Sequence, residues 1–67
     1  MKIQIKATQE ALAAFKEHMK AWVKECLVSP TWIKDLWVIE FKALADLELA
    51  LVLIHQDKAI TVWDVIR

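Results

Sequence analysis

The stretch that decides the fold of this chain runs from Trp37 to Arg67 and reads WVIEFKALADLELALVLIHQDKAITVWDVIR. Its first part alternates large apolar residues with Val, Glu and Lys, a period of two that predicts a half-buried strand at 36–42. The next part is rich in Leu and Ala, which favour a helix, placed here at 44–56. The last part returns to Val, Ile, Thr and Trp and predicts a strand at 59–66.

The segment 47–54 has a rival interpretation, because its Leu residues also alternate and could form one strand of a meander of hairpins. Tight hairpins usually need Gly or Asn at a positive φ, and the chain contains neither residue. The helix is therefore the favoured interpretation. With a helix in this position, the two flanking strands run parallel, and their crossover is expected to be right-handed.

The N-terminal half supplies another strand and another helix. It begins with Lys-Ile-Gln-Ile-Lys, an alternation that predicts a strand at 2–7. Thr8 is a good N-cap, and apolar residues at three- and four-residue spacing continue to Cys26, which predicts a helix over 8–27. Pro30 disfavours helix at the residue before it, so the chain is expected to form a linker from 28 to 35.

These elements predict one compact α+β domain over residues 1–67, in the order β-α-β-α-β. The predicted sheet is a single layer of three strands, and both helices pack on one of its faces. The last strand has apolar residues on both sides, which is typical of a central strand, so we place it at the centre. The first strand, with lysines on one side, suits an edge.

The composition favours association with protein over association with nucleic acid or membrane. Sixty-seven residues make a marginal domain, yet 58% of them are hydrophobic and four are Trp. So many apolar residues in so small a domain predict a homo-oligomer, with a dimer preferred, or a protein partner. Nine basic and nine acidic residues cancel, which removes any long-range attraction to nucleic acid or to an anionic membrane.

A cytoplasmic location is also expected. The single Cys excludes an internal disulfide and suits a reducing compartment. The start of the chain, from Met1 to Lys6, lacks the apolar core of a signal peptide. The longest apolar run, from Leu49 to Ile54, is far shorter than the roughly 20 residues that span a bilayer.

The predicted second helix is apolar on two sides, and the second of these sides carries Leu49, Val52 and Leu53. A helix that is apolar over most of its surface is buried over most of its surface. Either the first helix or another subunit must cover these residues, and we assign them to a partner or dimer interface. Trp32 and Trp63 join this set, because exposed Trp is enriched at binding hot spots. Packing over the helix ends is an equally good interpretation for Trp32.

Several residues that could carry chemistry are assigned to the core instead. Cys26 lies in the apolar stripe of the predicted first helix and is expected to be buried and inert, since reactive thiols need exposure and nearby positive charge. Trp22 and Trp37 also fit the core. His18 lies two helical turns from Cys26, about 12 Å along the axis, which is too far for a shared metal site.

Pairs of acids and bases elsewhere form no catalytic motif. His55 and Asp57 could be a base and its orienting acid, but no nucleophile accompanies them, and a capping role is the better interpretation. Glu40 and Asp64 lie on predicted strands and could act as general acid and base, without a metal or phosphate motif to support that role. We therefore assign no catalytic, cofactor-binding or metal-ligating residues and do not expect an enzyme.

The sequence is best explained by a small non-enzymatic protein–protein interaction domain that self-associates or binds and modulates another protein. Phage and mobile-element inhibitors of host proteins are one class of such small chains. The alternative is a small nucleic-acid-associated regulator that uses the lysine face of the first helix, formed by Lys16, Lys20 and Lys24. A third hypothesis is a subunit that completes an active site with another chain.

Overall fold

The computed structural model of the protein describes residues 1–23 and 25–67. Within these ranges the chain forms four strands and two helices. In chain order they are β1 (Lys2–Lys6), α1 (Gln9–Lys20), β2 (Cys26–Pro30), β3 (Leu36–Phe41), α2 (Leu44–Gln56) and β4 (Thr61–Ile66). The α+β class and the two helices agree with the prediction, whereas the sheet has four strands instead of three.

The four strands form one antiparallel sheet in the order β2-β3-β1-β4. β1 pairs with both β3 and β4, so β1 is central and β4 lies at an edge, the reverse of the predicted positions. The lysines of β1 need no edge, because an antiparallel sheet can leave one whole face in water. β3 and β4 do run parallel to each other, but β1 lies between them. Each helix thus links two strands that a third separates, the split βαβ arrangement.

β2 takes the last two residues of the predicted first helix and the first three residues of the predicted linker 28–35. α1 begins after the N-cap Thr8, as predicted, and Thr8 Oγ1 accepts a hydrogen bond from the Ala11 amide at 3.2 Å. It ends at Lys20, well short of the predicted residue 27. The segment Cys26–Pro30 then pairs with β3 along its full length. This pairing satisfies backbone groups on the edge of β3, a long-range gain that the helical spacing of side chains does not reveal.

β2 and β3 form a hairpin without Gly or Asn, because Asp35 adopts the left-handed conformation. Its φ is 64°, a region that Asp tolerates better than most residues with a side chain. The Thr31 hydroxyl completes the turn by accepting from the Ile33 amide at 3.1 Å and donating to the Leu36 carbonyl at 2.9 Å. The lack of Gly and Asn is therefore weak evidence against a hairpin in this chain.

α2 has the predicted bounds, Leu44–Gln56, and the rival strand at 47–54 is wrong. Its buried residues are Leu47, Ala50, Leu53 and Ile54. Leu49 and Leu51 are half-buried and pack against the same core. Much of the predicted second apolar side of α2 is therefore covered within the chain.

Both helices pack on one face of the sheet, as predicted. The largest fully buried side chains come from both helices and from two strands: Ile3, Ile5, Phe15, Met19, Ile39 and Leu47. They belong to one core cluster, to which Phe41 of β3 and Ile60, just before β4, also contribute. Over the described ranges, the chain has no helix with the length and apolar character needed to cross a membrane.

Candidate interaction surface

One face of the sheet has neither α1 nor α2 over it, since both helices pack on the other face. The strand registers identify its residues, because side chains directly opposite each other in an antiparallel pair lie on the same face. Ile3 and Ile5 point into the core, so Lys2, Gln4 and Lys6 point to the other face. We call this other face the open face. It comprises Lys2, Gln4 and Lys6, the residues of β3 and β4 that pair with them, and the residues of β2 that pair in turn with those of β3.

Two rows of side chains cross the open face from β2 to β4. The first row is Leu27, Glu40, Lys2 and Ile66. The second row is Ser29, Val38, Gln4 and Asp64. The first row thus has an apolar residue at each end and two opposite charges in the middle.

Trp63 also lies on the open face, because β4 contains a bulge. The register of β1 with β4 shifts between Gln4 and Ile5, which leaves Trp63 as the additional residue. Lys6 Nζ lies 5.7 Å from the centroid of the Trp63 ring, within the range of a cation–π interaction. Since Lys6 points to the open face, the Trp63 ring lies on that face as well.

The open face exposes large apolar side chains. Leu27 is 63% exposed, Trp63 59% and Ile66 42%. Farther along the face, next to Lys6, Leu36 is buried outside the core cluster, at the end of the β2–β3 turn. On the open face, the exposed apolar side chains therefore lie on the two edge strands, β2 and β4.

Four charged residues share the open face: Lys2, Lys6, Glu40 and Asp64. All four are exposed, and two positive charges balance two negative ones. The ion pairs formed between residues in the described ranges involve none of the four. The open face therefore offers both signs of charge to a partner.

The predicted interface residues are not brought together by the fold. Trp63 lies on the open face, whereas Trp32 lies in the β2–β3 turn and is 94% exposed. Val52 is 53% exposed on α2, Leu49 is half-buried and Leu53 is buried in the core. Their assignment to an interface stays a prediction. Trp32, Trp63 and Val52 are the members that a partner could reach without a rearrangement of the core.

Leu27 and Ile66 belong to the open face, although no sequence motif identifies them. The signal for Ile66 is the apolar pattern on both sides of the last strand, which is typical of a strand covered twice. On the core side of β4, Val65 packs against the core cluster, whereas Val62 is 37% exposed. Leu27 falls within the predicted helix 8–27, so its place on a strand could not be deduced.

Two of the core assignments for Trp and Cys residues are wrong. Trp37 does pack against the core, and its indole Nε1 donates a hydrogen bond to the Ala7 carbonyl at 2.9 Å. Trp22 is 59% exposed just beyond the end of α1. Cys26 is exposed on β2, since the helix that was expected to bury it ends six residues earlier, at Lys20.

Cys26 lies where two shallow grooves meet at the outer edge of β2. One groove has a volume of about 450 Å³ and lies between the ends of β2 and β3; the other, of about 300 Å³, lies between β2 and α1. Partial burial of the thiol raises the pKa of Cys26 above its ordinary value, Lys16 lowers it by a smaller amount, and Asp46 raises it slightly. Because the thiolate is the reactive form, a raised pKa makes this thiol a poor nucleophile at neutral pH.

The acid–base pairs considered from the sequence are not assembled into a site. Asp57 Oδ1 accepts a hydrogen bond from the Ala59 amide at 3.0 Å, so Asp57 shapes the turn after α2, while His55 is exposed. Glu40 and Asp64 lie on strands separated by β1, about 10 Å apart by strand spacing. Among the residues that the structure describes, no group of three His, Cys, Asp or Glu side chains is placed to hold a metal ion.

The lysine face of α1 is only partly described. Lys16 and Lys20 are exposed, and Lys20 Nζ lies 3.5 Å from a carboxylate oxygen of Glu17. Lys24, the third residue of the predicted face, lies outside the described residues. Glu17 therefore offsets part of the positive charge that a nucleic acid would meet on this helix.

Comparison of the chain with protein-family models, with curated proteins and with solved structures gives no match. A fold by itself does not assign a function, because one architecture supports many unrelated roles. The role of this protein must therefore be inferred from the open face and its exposed side chains.

Proposed function

We propose that the chain is a small non-enzymatic protein-interaction domain that associates with itself or binds and modulates another protein. The observation that carries this proposal is the exposure of Leu27, Trp63 and Ile66 on the open face. Trp63 and Ile66 lie together on β4 and Leu27 lies on the opposite edge strand, and large exposed apolar side chains on an uncovered face often mark interaction sites. We place the protein in the cytoplasm, in line with the free thiol of Cys26.

Trp32 supports the same role from the β2–β3 turn. Its side chain is 94% exposed, and Trp is among the residues most enriched at binding hot spots. The turn that carries it is held by the Thr31 hydroxyl, which bonds to the backbone of Ile33 and Leu36. A side chain on an ordered turn loses less conformational entropy on binding than one on a flexible loop.

The test compares loss of apolar side chains from the open face with a matched loss elsewhere. One double variant carries Leu27→Ser and Trp63→Ser on the open face. The control carries Trp22→Ser just beyond α1 and Leu44→Ser on α2, where the two side chains are 59% and 49% exposed. Sedimentation velocity measures self-association, and affinity capture with quantitative mass spectrometry measures binding to other proteins. Circular dichroism verifies that both variants are folded.

We expect the parent and the control variant to associate alike, with themselves or with the same captured protein, and the open-face variant to lose that association. The proposal fails if the parent sediments as a monomer at every concentration and also captures the same proteins as the open-face variant. In that case the exposed apolar residues bind nothing specifically.

A second assay addresses the nucleic-acid alternative. Fluorescence anisotropy with labelled single-stranded RNA and duplex DNA at low salt compares the parent with a Lys16→Gln, Lys20→Gln variant. We expect no binding by either protein at micromolar concentration, because the chain has no net charge. Binding by the parent that falls steeply with salt and is lost in the variant would assign the regulator function instead.

A further inference from the structure

We propose that the open face joins two copies of this chain in a two-fold symmetric dimer, sheet against sheet. This inference rests on the proposed function and specifies its partner and its geometry. The partner is a second copy, and the contact is made by the first and second rows of the open face. Two observations support it: the uncovered apolar residues and the positions of the charges.

β4 carries apolar side chains on both faces, and both sets are expected to be buried. Val65 packs against the core on one side, whereas Trp63 and Ile66 are exposed on the other. Strands with apolar residues on both sides are usually covered twice. Both helices lie on the core side, so neither of them can cover Trp63 and Ile66.

The first row makes the open face complementary to itself. In a two-fold contact the same patch meets its own copy, so any pairing of two residues occurs twice. A two-fold axis parallel to the strands, between β1 and β3, places Lys2 against the partner's Glu40 and Glu40 against the partner's Lys2. At the ends of the row, Leu27 meets the partner's Ile66.

The charges also select this axis over the other simple choice. An axis perpendicular to the strands, through the second row, would place Lys2 against the partner's Lys6, and facing like charges are strongly unfavourable. The parallel axis avoids that contact. In the second row it sets Asp64 against the partner's Ser29, whose hydroxyl can donate to the carboxylate.

Lys2 and Glu40 lie on the two central strands, so a rotation of the two sheets separates them less than the residues at the ends of the first row. Two packed sheets are commonly inclined by about 30°, which displaces residues far from the centre of the contact more than residues close to it. β1 and β3 are the two central strands of the sheet, and they flank the proposed axis. Lys2 and Glu40 are therefore the residues best suited to test the arrangement.

The open face is small for a protein–protein interface. Four strands about 4.8 Å apart, each five or six residues long at about 3.3 Å per residue, give a flat footprint of roughly 350 Å². A standard interface buries about 800 Å² on each partner. The open face is less than half that size, so we expect a weak, readily reversible dimer.

The experiment uses two single variants, Lys2→Glu and Glu40→Lys. The first places acids on both sides of the axis and the second places bases there, so each should raise its own dimer dissociation constant at least about tenfold. Mixed in equal amounts, the two variants should form a heterodimer, because two acids of one chain then face two bases of the other. Sedimentation velocity with one variant labelled detects it.

The mixing experiment distinguishes pairing of Lys2 with Glu40 of the other copy from pairing of the two residues within one chain. Lys2 and Glu40 are neighbours across β1 and β3, so a variant carrying both changes would restore either kind of contact. The mixture restores only the contact between copies. Circular dichroism establishes that each variant is folded. The control, Lys20→Glu on α1, should dimerise like the parent.

The sheet-to-sheet dimer is overturned if the parent remains a monomer at millimolar concentration. It is also overturned if both single variants dimerise like the parent, or if they weaken the dimer without pairing in the mixture. None of these results removes the proposed function when the capture experiment still shows another protein bound through Leu27 and Trp63. Failure of the dimer and failure of the function are thus distinguished.

Discussion

The two faces of the sheet differ in what covers them, although their residues alternate along the same strands. Ile3, Ile5 and Ile39 on the core side have no exposed surface, whereas Leu27 on the open face is 63% exposed. Alternation assigns a side chain to a face, but it does not say whether that face is covered. Whether a face is covered follows only from the positions of the helices.

The open face also has an unusual distribution of residue types. Its centre, on β1 and β3, carries the charges of Lys2 and Glu40, and its apolar residues lie on the edge strands. Most interfaces have the reverse, an apolar centre with a polar rim. In the proposed dimer the central charges therefore set the orientation, and the apolar ends supply most of the affinity.

The largest expected difference between the two faces is in stability. Leu47→Ala removes a fully buried side chain and should lower the free energy of unfolding by about 2–5 kcal/mol. Leu27→Ala is the same chemical change on the open face and should lower it by less than about 0.5 kcal/mol. Urea unfolding at low micromolar concentration measures both. Equal losses would mean that Leu27 is already buried in the free chain.

Two Trp residues allow a second matched comparison. Trp37→Phe removes the hydrogen bond from the indole to the Ala7 carbonyl and should destabilise the fold by about 0.5–1.5 kcal/mol. Trp63→Phe keeps an aromatic ring beneath Lys6 and should leave the stability of the monomer nearly unchanged. The same urea experiment reports both changes. A loss at Trp63 as large as that at Trp37 would contradict the difference between the faces.

The hairpin turn affects both faces at once, because it connects β2 to β3. Asp35→Ala should destabilise the fold by about 1 kcal/mol, since its φ of 64° strains a residue with a Cβ and Ala has no polar side chain to compensate. Asp35→Gly removes that strain and should be close to neutral. Thermal unfolding measures both. If Ala is tolerated as well as Gly, the left-handed conformation does not limit this turn.

Cys26 lies at the outer edge of β2, where the two faces meet, and its expected effect is the smallest. Because partial burial raises its pKa, the folded chain holds less thiolate at neutral pH than the unfolded chain. Alkylation by iodoacetamide should therefore be a few-fold slower in the folded state, with its pH midpoint shifted upwards relative to that in urea. A lower or unchanged midpoint would contradict the partial burial of the thiol.

The raised pKa of Cys26 also makes the stability of the fold depend on pH. A thiol whose pKa is higher in the folded state binds its proton more tightly there, so it favours folding below the pKa of the unfolded chain. That contribution is lost as the pH rises through the pKa of the folded chain. Cys26→Ser should therefore weaken the fall in stability with alkaline pH.

Local sequence patterns predict the secondary structure correctly where a segment favours only one kind of element. The Leu- and Ala-rich run of α2 predicts its bounds correctly, and the alternation in β1 and β3 predicts both strands. Cys26 and Leu27 continue the helical spacing and the next three residues were expected in a linker, so only the pairing with β3 reveals a strand at Cys26–Pro30. The exchange of β1 and β4 in the sheet has the same cause, because strand order depends on long-range pairing.

The candidate interaction surface was predictable only in part. The exposure of Trp32 follows from its place after Pro30, in a segment expected to be irregular. The roles of Leu27 and Glu40 depend on the register of β2, β3 and β1, which no local pattern reveals. Leu53 was assigned to an interface because a helical wheel shows the direction of a side chain but not what packs against it, and here the core does.

The most direct test of the open face as a contact between copies is a dilution series followed by amide chemical shifts. Spectra of the ¹⁵N-labelled protein are recorded from millimolar to low micromolar concentration. We predict that the signals of Lys2, Gln4, Val38 and Glu40 shift progressively on dilution, whereas that of Val52 on α2 stays constant. Shifts confined to α2, or no shift at any concentration, would contradict a dimer formed by the open face.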